Sequence, residues 1–102
     1  MDLAKVEGTV VSTVKADRLH GYKLLLVNLL QPDTAPTGEH IVAVDTVGAG
    51  EGEVVIIVRG SSARQAEKLA HVPTDASIVA IVDTVVHKGR KVFEKARRGV
   101  EG

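Results

Sequence analysis

The sequence predicts a mainly β protein: one small five-stranded barrel carrying a single short α-helix at about residues 62–70. Three observations carry that expectation. Val (18), Leu (8) and Ile (5) dominate, against one Phe, one Tyr and no Trp, and β-branched residues suit the pleated, half-buried surface of a sheet. Gly and Pro punctuate the aliphatic runs at short intervals, as turns between strands do. The opening segment alternates strictly, which is the period of a strand with one buried face.

The first strand is expected over Ala4–Val14. Ala4, Val6, Gly8, Val10, Ser12 and Val14 fall on one face, and Lys5, Glu7, Thr9 and Thr13 on the other. Gly8 inside it marks a bend or a close backbone approach, as at the corner of a small barrel. After the polar connection Ala16–Gly21 comes Lys23–Leu30, apolar on both faces and short enough to be a second strand. Pro32, Asp33, Pro36 and Gly38 make Gln31–His40 a loop. Ile41–Val47 is the third strand, Gly48–Gly52 a glycine-rich turn, and Glu53–Arg59 the fourth. Ser62-Ala63-Arg64-Gln65 has the form of a capping box, in which the hydroxyl and the amide each satisfy a backbone N–H at a helix start. The helix runs to about Ala70, and Pro73 prevents its continuation. Ile78–Val86 is the fifth strand. The expected division is a barrel domain over 1–87 and a basic tail over 88–102. Val44-Asp45-Thr46-Val47 recurs as Val82-Asp83-Thr84-Val85, but nothing around the two copies repeats, so the echo is read as chance in a Val-rich chain.

A chain of 102 residues supports one domain with a thin core. With no Cys there is no disulfide scaffold, thiolate metal site or cysteine nucleophile. No apolar run approaches a membrane span. The charged residues Asp2, Lys5 and Glu7 stand where a signal peptide would be apolar, so the expected compartment is the cytosol. The net charge is zero but uneven: residues 1–86 hold 7 basic and 11 acidic side chains, and residues 87–102 hold 6 and 2. The second and fourth strands are apolar on both faces, whereas a small barrel has a single inside. Their outer faces need another cover, and neighbouring subunits supply it, so an obligate oligomer is expected.

Candidate chemistry is sparse. His20, His40, His71 and His87 share no metal-ligand spacing and lie in or beside predicted loops, so no metal and no cofactor are expected. Asp45 and Asp83 each stand on an otherwise aliphatic strand face. Brought together they would form an acid/base pair; apart, each carboxylate must be satisfied by hydrogen bonds. Gly48-Ala49-Gly50-Glu51-Gly52 lacks the spacing of a phosphate cradle, and a strand follows it where a helix is required. It suits a turn, or a place where backbones converge.

The order of motifs resembles the bacterial microcompartment vertex proteins, the family shared by ethanolamine-utilisation organelles and carboxysomes. The resemblance rests on Leu3–Thr13, Gly21–Val27, Val42–Gly50 followed by Gly52–Val55, Gly60–Arg64 and Asp75–Val85. It covers residues 2–86 and stops before the tail. It implies an oligonucleotide-binding-like (OB-like) barrel assembled as a cyclic homopentamer, which plugs the vertices of a polyhedral shell otherwise tiled by hexameric shell proteins. That role is structural and non-enzymatic, in a shell within the cytoplasm, with neither nucleic acid nor membrane as partner. The resemblance further implies that Gly48, Ala49 and Gly50 form a loop near the ring axis, with Glu51 beside them as a ring of negative charge. Asp45, Ser61, Ser62, Arg64 and Asp83 occupy family-matching positions and are assigned hydrogen bonding within or between protomers. The basic tail is expected to touch shell or cargo proteins through charge. The competing readings are an OB-like module that binds nucleic acid or a partner with the tail, and a small enzyme using Asp45 and Asp83. The first lacks aromatic stacking platforms, and the second requires the two carboxylates to meet.

Overall fold

The computed structural model describes residues 1–11, 22–60 and 76–95. Five strands close into a barrel: β1 (Asp2–Val10), β2 (Lys23–Leu30), β3 (Pro36–Asp45), β4 (Val54–Arg59) and β5 (Ala76–Ile81). Their order around the barrel is β1-β2-β3-β5-β4. The pairings are antiparallel except one: β3 and β5 run parallel where Val44 meets Ser77 and Asp45 meets Ile78. That short seam closes the barrel. The expected helix at 62–70, together with Ser61, Ser62 and Arg64, lies outside the described residues.

β1 pairs with β2 on one side and with β4 on the other. Its register with β2 slips between Val6 and Gly8, so the glycine marks a bulge that turns the strand around the barrel corner. The alternation points Ala4 and Val6 inward, where they meet Leu25, Val27, Leu29, Ala43, Val55, Ile57 and Ile78 in a single core. Val44, Val54 and Val58 are buried as well, outside that inner cluster. Val42 on β3 and Val47 in the bend that follows it remain 46% and 38% exposed. The outer wall is thus partly apolar in the single chain, as two-sided strands require.

Several boundaries depart from expectation, beginning with β1, which spans Asp2–Val10 where Ala4–Val14 was expected. β3 starts at Pro36, within the segment expected as loop, so that the connection shrinks to Gln31–Ala35. Proline is compatible with the first position of a strand. Gly38 (φ 84°) absorbs the register slip between Asn28 and Leu30 that made the segment look irregular. The expected fifth strand, Ile78–Val86, is two strands. β5 gives its last bond to β4 through Val82 N–H to Val54 O (2.8 Å), and the chain then turns out at Asp83 into β6 (Thr84–His87). β6 pairs antiparallel with β7 (Arg90–Glu94), a strand lying in the segment expected as tail. The division expected between residues 87 and 88 therefore falls at the tip of a hairpin. Lys88 (φ 54°) and Gly89 (φ 75°) form that tip, with the two positive φ values of the tight turn whose twist matches the flanking strands.

Candidate functional site

The glycine-rich loop after β3 is built by two carboxylates. Asp45 ends β3 with its side chain 2% exposed. Its Oδ1 accepts the N–H groups of Val47 (3.0 Å), Gly48 (3.0 Å) and Ala49 (3.3 Å), and its Oδ2 accepts Ala49 N–H at 3.0 Å. A buried carboxylate demands such satisfaction, and successive amides turned to one point supply it. Gly48 (φ 80°) makes the turn possible. Lys23 on β2 completes the arrangement: its Nζ lies 3.8 Å from Asp45 Oδ2 and donates to Ala49 O at 3.3 Å.

Glu53 holds the other end. Its Oε1 accepts Gly50 N–H at 2.7 Å, while its Oε2 pairs with Lys95 Nζ at 2.6 Å. Backbone bonds Gly52 N–H to Val6 O (2.8 Å) and Val6 N–H to Glu53 O (2.9 Å) stitch the loop to β1. Gly52 (φ 89°) is the second left-handed glycine. The four residues expected near a ring axis therefore do different things. Gly48 and Gly50 supply backbone, and Ala49 is completely buried within the core cluster, so its side chain faces inward. Glu51 is exposed, and its Oε2 would stand 4.0 Å from a Cβ placed on Gly8. Lys23, Glu53 and Lys95 complete the loop without being among the candidate residues of the sequence. Glu53 stands three residues from Gly50, a spacing that suits a carboxylate closing a turn, but nothing local announces Lys95 as its partner.

Asp83 does not stand on a strand face, the position expected of it. It occupies the exposed break between β5 and β6, off any strand face, and its backbone carbonyl accepts Lys95 N–H at 2.8 Å. Asp45, by contrast, is buried with its oxygens committed to loop amides, so the two aspartates form no acid/base pair. Among the described residues, no group of three or more His, Cys, Asp or Glu is placed to hold a metal ion, and no helix is long and apolar enough to cross a membrane.

A second polar cluster spans β1, β2 and β3 on the outer wall. Glu7 Oε2 accepts Asn28 Nδ2–H at 3.0 Å and Glu7 Oε1 lies 2.9 Å from His40 Nε2. Asn28 Oδ1 accepts Gly38 N–H at 3.1 Å. The Asn28 bond first, then the His40 bond, hold the Glu7 carboxyl below its ordinary value of 4.5. His87 lies apart from this cluster, on the hairpin.

Comparison with known proteins agrees with this geometry. The family model described as "Ethanolamine utilisation protein EutN/carboxysome" matches residues 1–83. The bacterial microcompartment shell vertex protein EutN of Escherichia coli (strain K12) is 46% identical over 95 residues, spanning 93% of this chain and 100% of the relative. The carboxysome shell vertex protein CcmL of Synechococcus elongatus is also 46% identical over 95 residues, covering 93% of this chain and 96% of the relative. Among solved structures, the GrpN pentameric microcompartment shell protein from Rhodospirillum rubrum is 54% identical. It superposes with a TM-score of 0.77 over 85% of this chain and 99% of its own. The family model spanning residues 1–83 and 46% identity over the full length of EutN place the chain in the EutN/CcmL family.

Proposed function

We propose that the chain is a structural protein of a bacterial microcompartment shell, forming homopentamers that cap the fivefold vertices of the polyhedron. The observation that carries this reading is the match to GrpN, a pentameric shell protein 99% of which is covered at 54% identity. The exposed aliphatic side chains of Val42 on β3 and Val47 just beyond it support it physically, because a heterologous interface closed by rotation covers such a surface in every copy. The mechanism is geometric. A five-membered ring among hexameric shell proteins introduces the curvature that closes the shell, and a closed shell retains small intermediates. No reaction is assigned to the chain itself.

Within the ring, the loop held by Asp45 and Glu53 is assigned to the axis, where Gly48 and Gly50 let backbones converge and Glu51 adds one negative charge per protomer. Ala49 contributes by anchoring the loop to the core. Asp45 acts within its own protomer. Ser61, Ser62, Arg64 and the exposed Asp83 keep their assignment to hydrogen bonding within or between protomers, and the basic segment after residue 87 is assigned to cargo or shell proteins. Light scattering coupled to size-exclusion chromatography tests the reading directly. The expected particle has five times the 10.8 kDa of one chain, and negative-stain images should show fivefold rings. A folded particle of one-chain mass at high concentration would end it.

A further inference from the structure

The β6–β7 hairpin leans on the β2–β3 turn, and a groove of about 530 Å³ opens between them. Asp33 lines it from the turn, and His87, Lys88, Arg90, Lys91 and Val92 line it from the hairpin. The turn and the hairpin come together where Thr34 Oγ1, whose hydroxyl also donates to Asp33 O at 2.5 Å, lies 3.4 Å from Val92 O. The volume is that of an ordinary ligand cleft. Its charge is lopsided, with three permanent cations against one carboxylate. Asp33 Oδ1 is already engaged by Ala35 N–H at 3.0 Å, and Lys91 is offset by Glu94 at 3.4 Å. Lys88 and Arg90 make no ion pair among the described residues.

Two further features single out this groove. Of the two non-glycine residues with positive φ among those described, Lys88 (φ 54°) lines the groove from the hairpin and Thr34 (φ 68°) follows the lining residue Asp33 in the turn. A lysine in a left-handed turn position, where Asn or Gly is favoured, is held there at a backbone cost of about 1 kcal/mol. The hairpin is also a sheet of only two strands, so no described strand covers the outer edge of β7. Such an edge accepts an added strand.

We propose that this groove is a docking site for an acidic, extended peptide segment of a partner protein. Carboxylates of the segment would meet Lys88 and Arg90, an aliphatic side chain would lie on Val92, and its backbone would run along β7. Lysines on a strand edge repel a second copy of the same basic strand, so the charge selects an acidic partner over self-pairing. A compact polyphosphate fits less well, because Asp33 faces it from the opposite wall. A single-stranded nucleic acid finds no aromatic ring in the groove on which to stack. The inference rests on the shell reading only for where the partner is sought; the groove and its charge stand without it.

The test uses the full chain and a dye-labelled peptide of alternating Glu and Val, followed by fluorescence anisotropy. Saturable binding is expected, weakening as salt rises. The Lys88→Glu, Arg90→Glu double variant should lose affinity at least about tenfold. Lys5→Glu, a single charge reversal at an exposed residue of β1, should leave it unchanged. Lys88→Gln with Arg90→Gln keeps side-chain bulk without reversing charge, and should still weaken binding several-fold. Unaltered affinity in either double variant overturns the proposal, as does absence of saturable binding. Displacement by tripolyphosphate at lower concentration than by unlabelled peptide would also overturn it, as a phosphate site. Light scattering on the same samples separates the two readings: a pentamer that ignores the peptide refutes the groove alone, and a peptide-binding monomer refutes the shell assignment alone.

Discussion

Asp45 shows how one side chain sets a local structure. Three consecutive loop amides converge on its carboxylate, so Asp45→Ala leaves them without an acceptor inside the protein. Charge-assisted bonds of this kind make that a loss of about 3 kcal/mol, with Asp45→Asn costing about half as much because one acceptor oxygen remains. Urea denaturation at fixed protomer concentration measures both, and an Ala variant as stable as the parent would show that water replaces the carboxylate without penalty. Glu7 makes a different statement, about pH. Its carboxyl is held below 4.5 in the folded protein by Asn28 and His40, so its contribution is present above the unfolded value and disappears as pH falls through the folded one. The melting temperature of the parent should therefore fall more steeply below pH 4.5 than that of Glu7→Gln, which carries no titrating group. Parallel curves would mean the cluster carries no linkage. At this scale the sequence was a fair guide to Asp45, since a lone carboxylate on an aliphatic strand has to be satisfied somewhere. It misled at Asp83, because the identical tetrapeptide context hid a strand break that depends on where β4 stops pairing.

The elements separate what a protomer needs from what a ring needs. Gly48 and Gly52 have positive φ, so alanine at either strains the protomer by about 1 kcal/mol whatever the surroundings. Gly50 does not, and a Cβ there would lie 3.6 Å from Glu53 Oε1, an ordinary contact. Gly50→Leu should therefore fold as a protomer with nearly unchanged circular dichroism, yet fail to form pentamers if the loop lies at the axis. Unimpaired assembly of Gly50→Leu would move the loop away from it. On the barrel wall, Val42 opposes Leu26 in register and is 46% exposed. Val42→Asp should leave the barrel folded and shift the light-scattering mass toward one chain, since a charge buried without a partner in an interface costs several kcal/mol. The strands themselves were legible because alternation and two-sided aliphatic runs are local signals. β7 was not: Arg90-Lys91-Val92-Phe93-Glu94 looks like a charged tail until β6 is there to pair with it. Lys88-Gly89 also lacks the Asn-Gly signature that announces a tight hairpin turn.

For the whole molecule, the need for partners could be reasoned from hydrophobic area, whereas the number five could not, because ring size is set by an interface angle that no residue pattern encodes. Charge, too, is organised at this scale. The acidic body and the basic end visible in the sequence meet in the fold through the Lys95–Glu53 pair, which ties the hairpin to the loop held by Asp45. The hairpin is thus joined to the barrel by this ion pair, by Lys95 N–H to Asp83 O at 2.8 Å and by Thr34 to Val92 O. Two truncations distinguish a structural hairpin from a dispensable tail. A chain ending at Lys95 keeps all of these links. A chain ending at His87 loses them and leaves β6 as a lone strand with Val86 already 63% exposed. Losing an ion pair and two hydrogen bonds should cost about 2 kcal/mol, which for a domain this size lowers the melting temperature by about 10 °C relative to the chain ending at Lys95. Calorimetry of the two truncated chains at equal protomer concentration decides it. Equal melting temperatures would mean that residues 88–95 add nothing to the stability of the barrel.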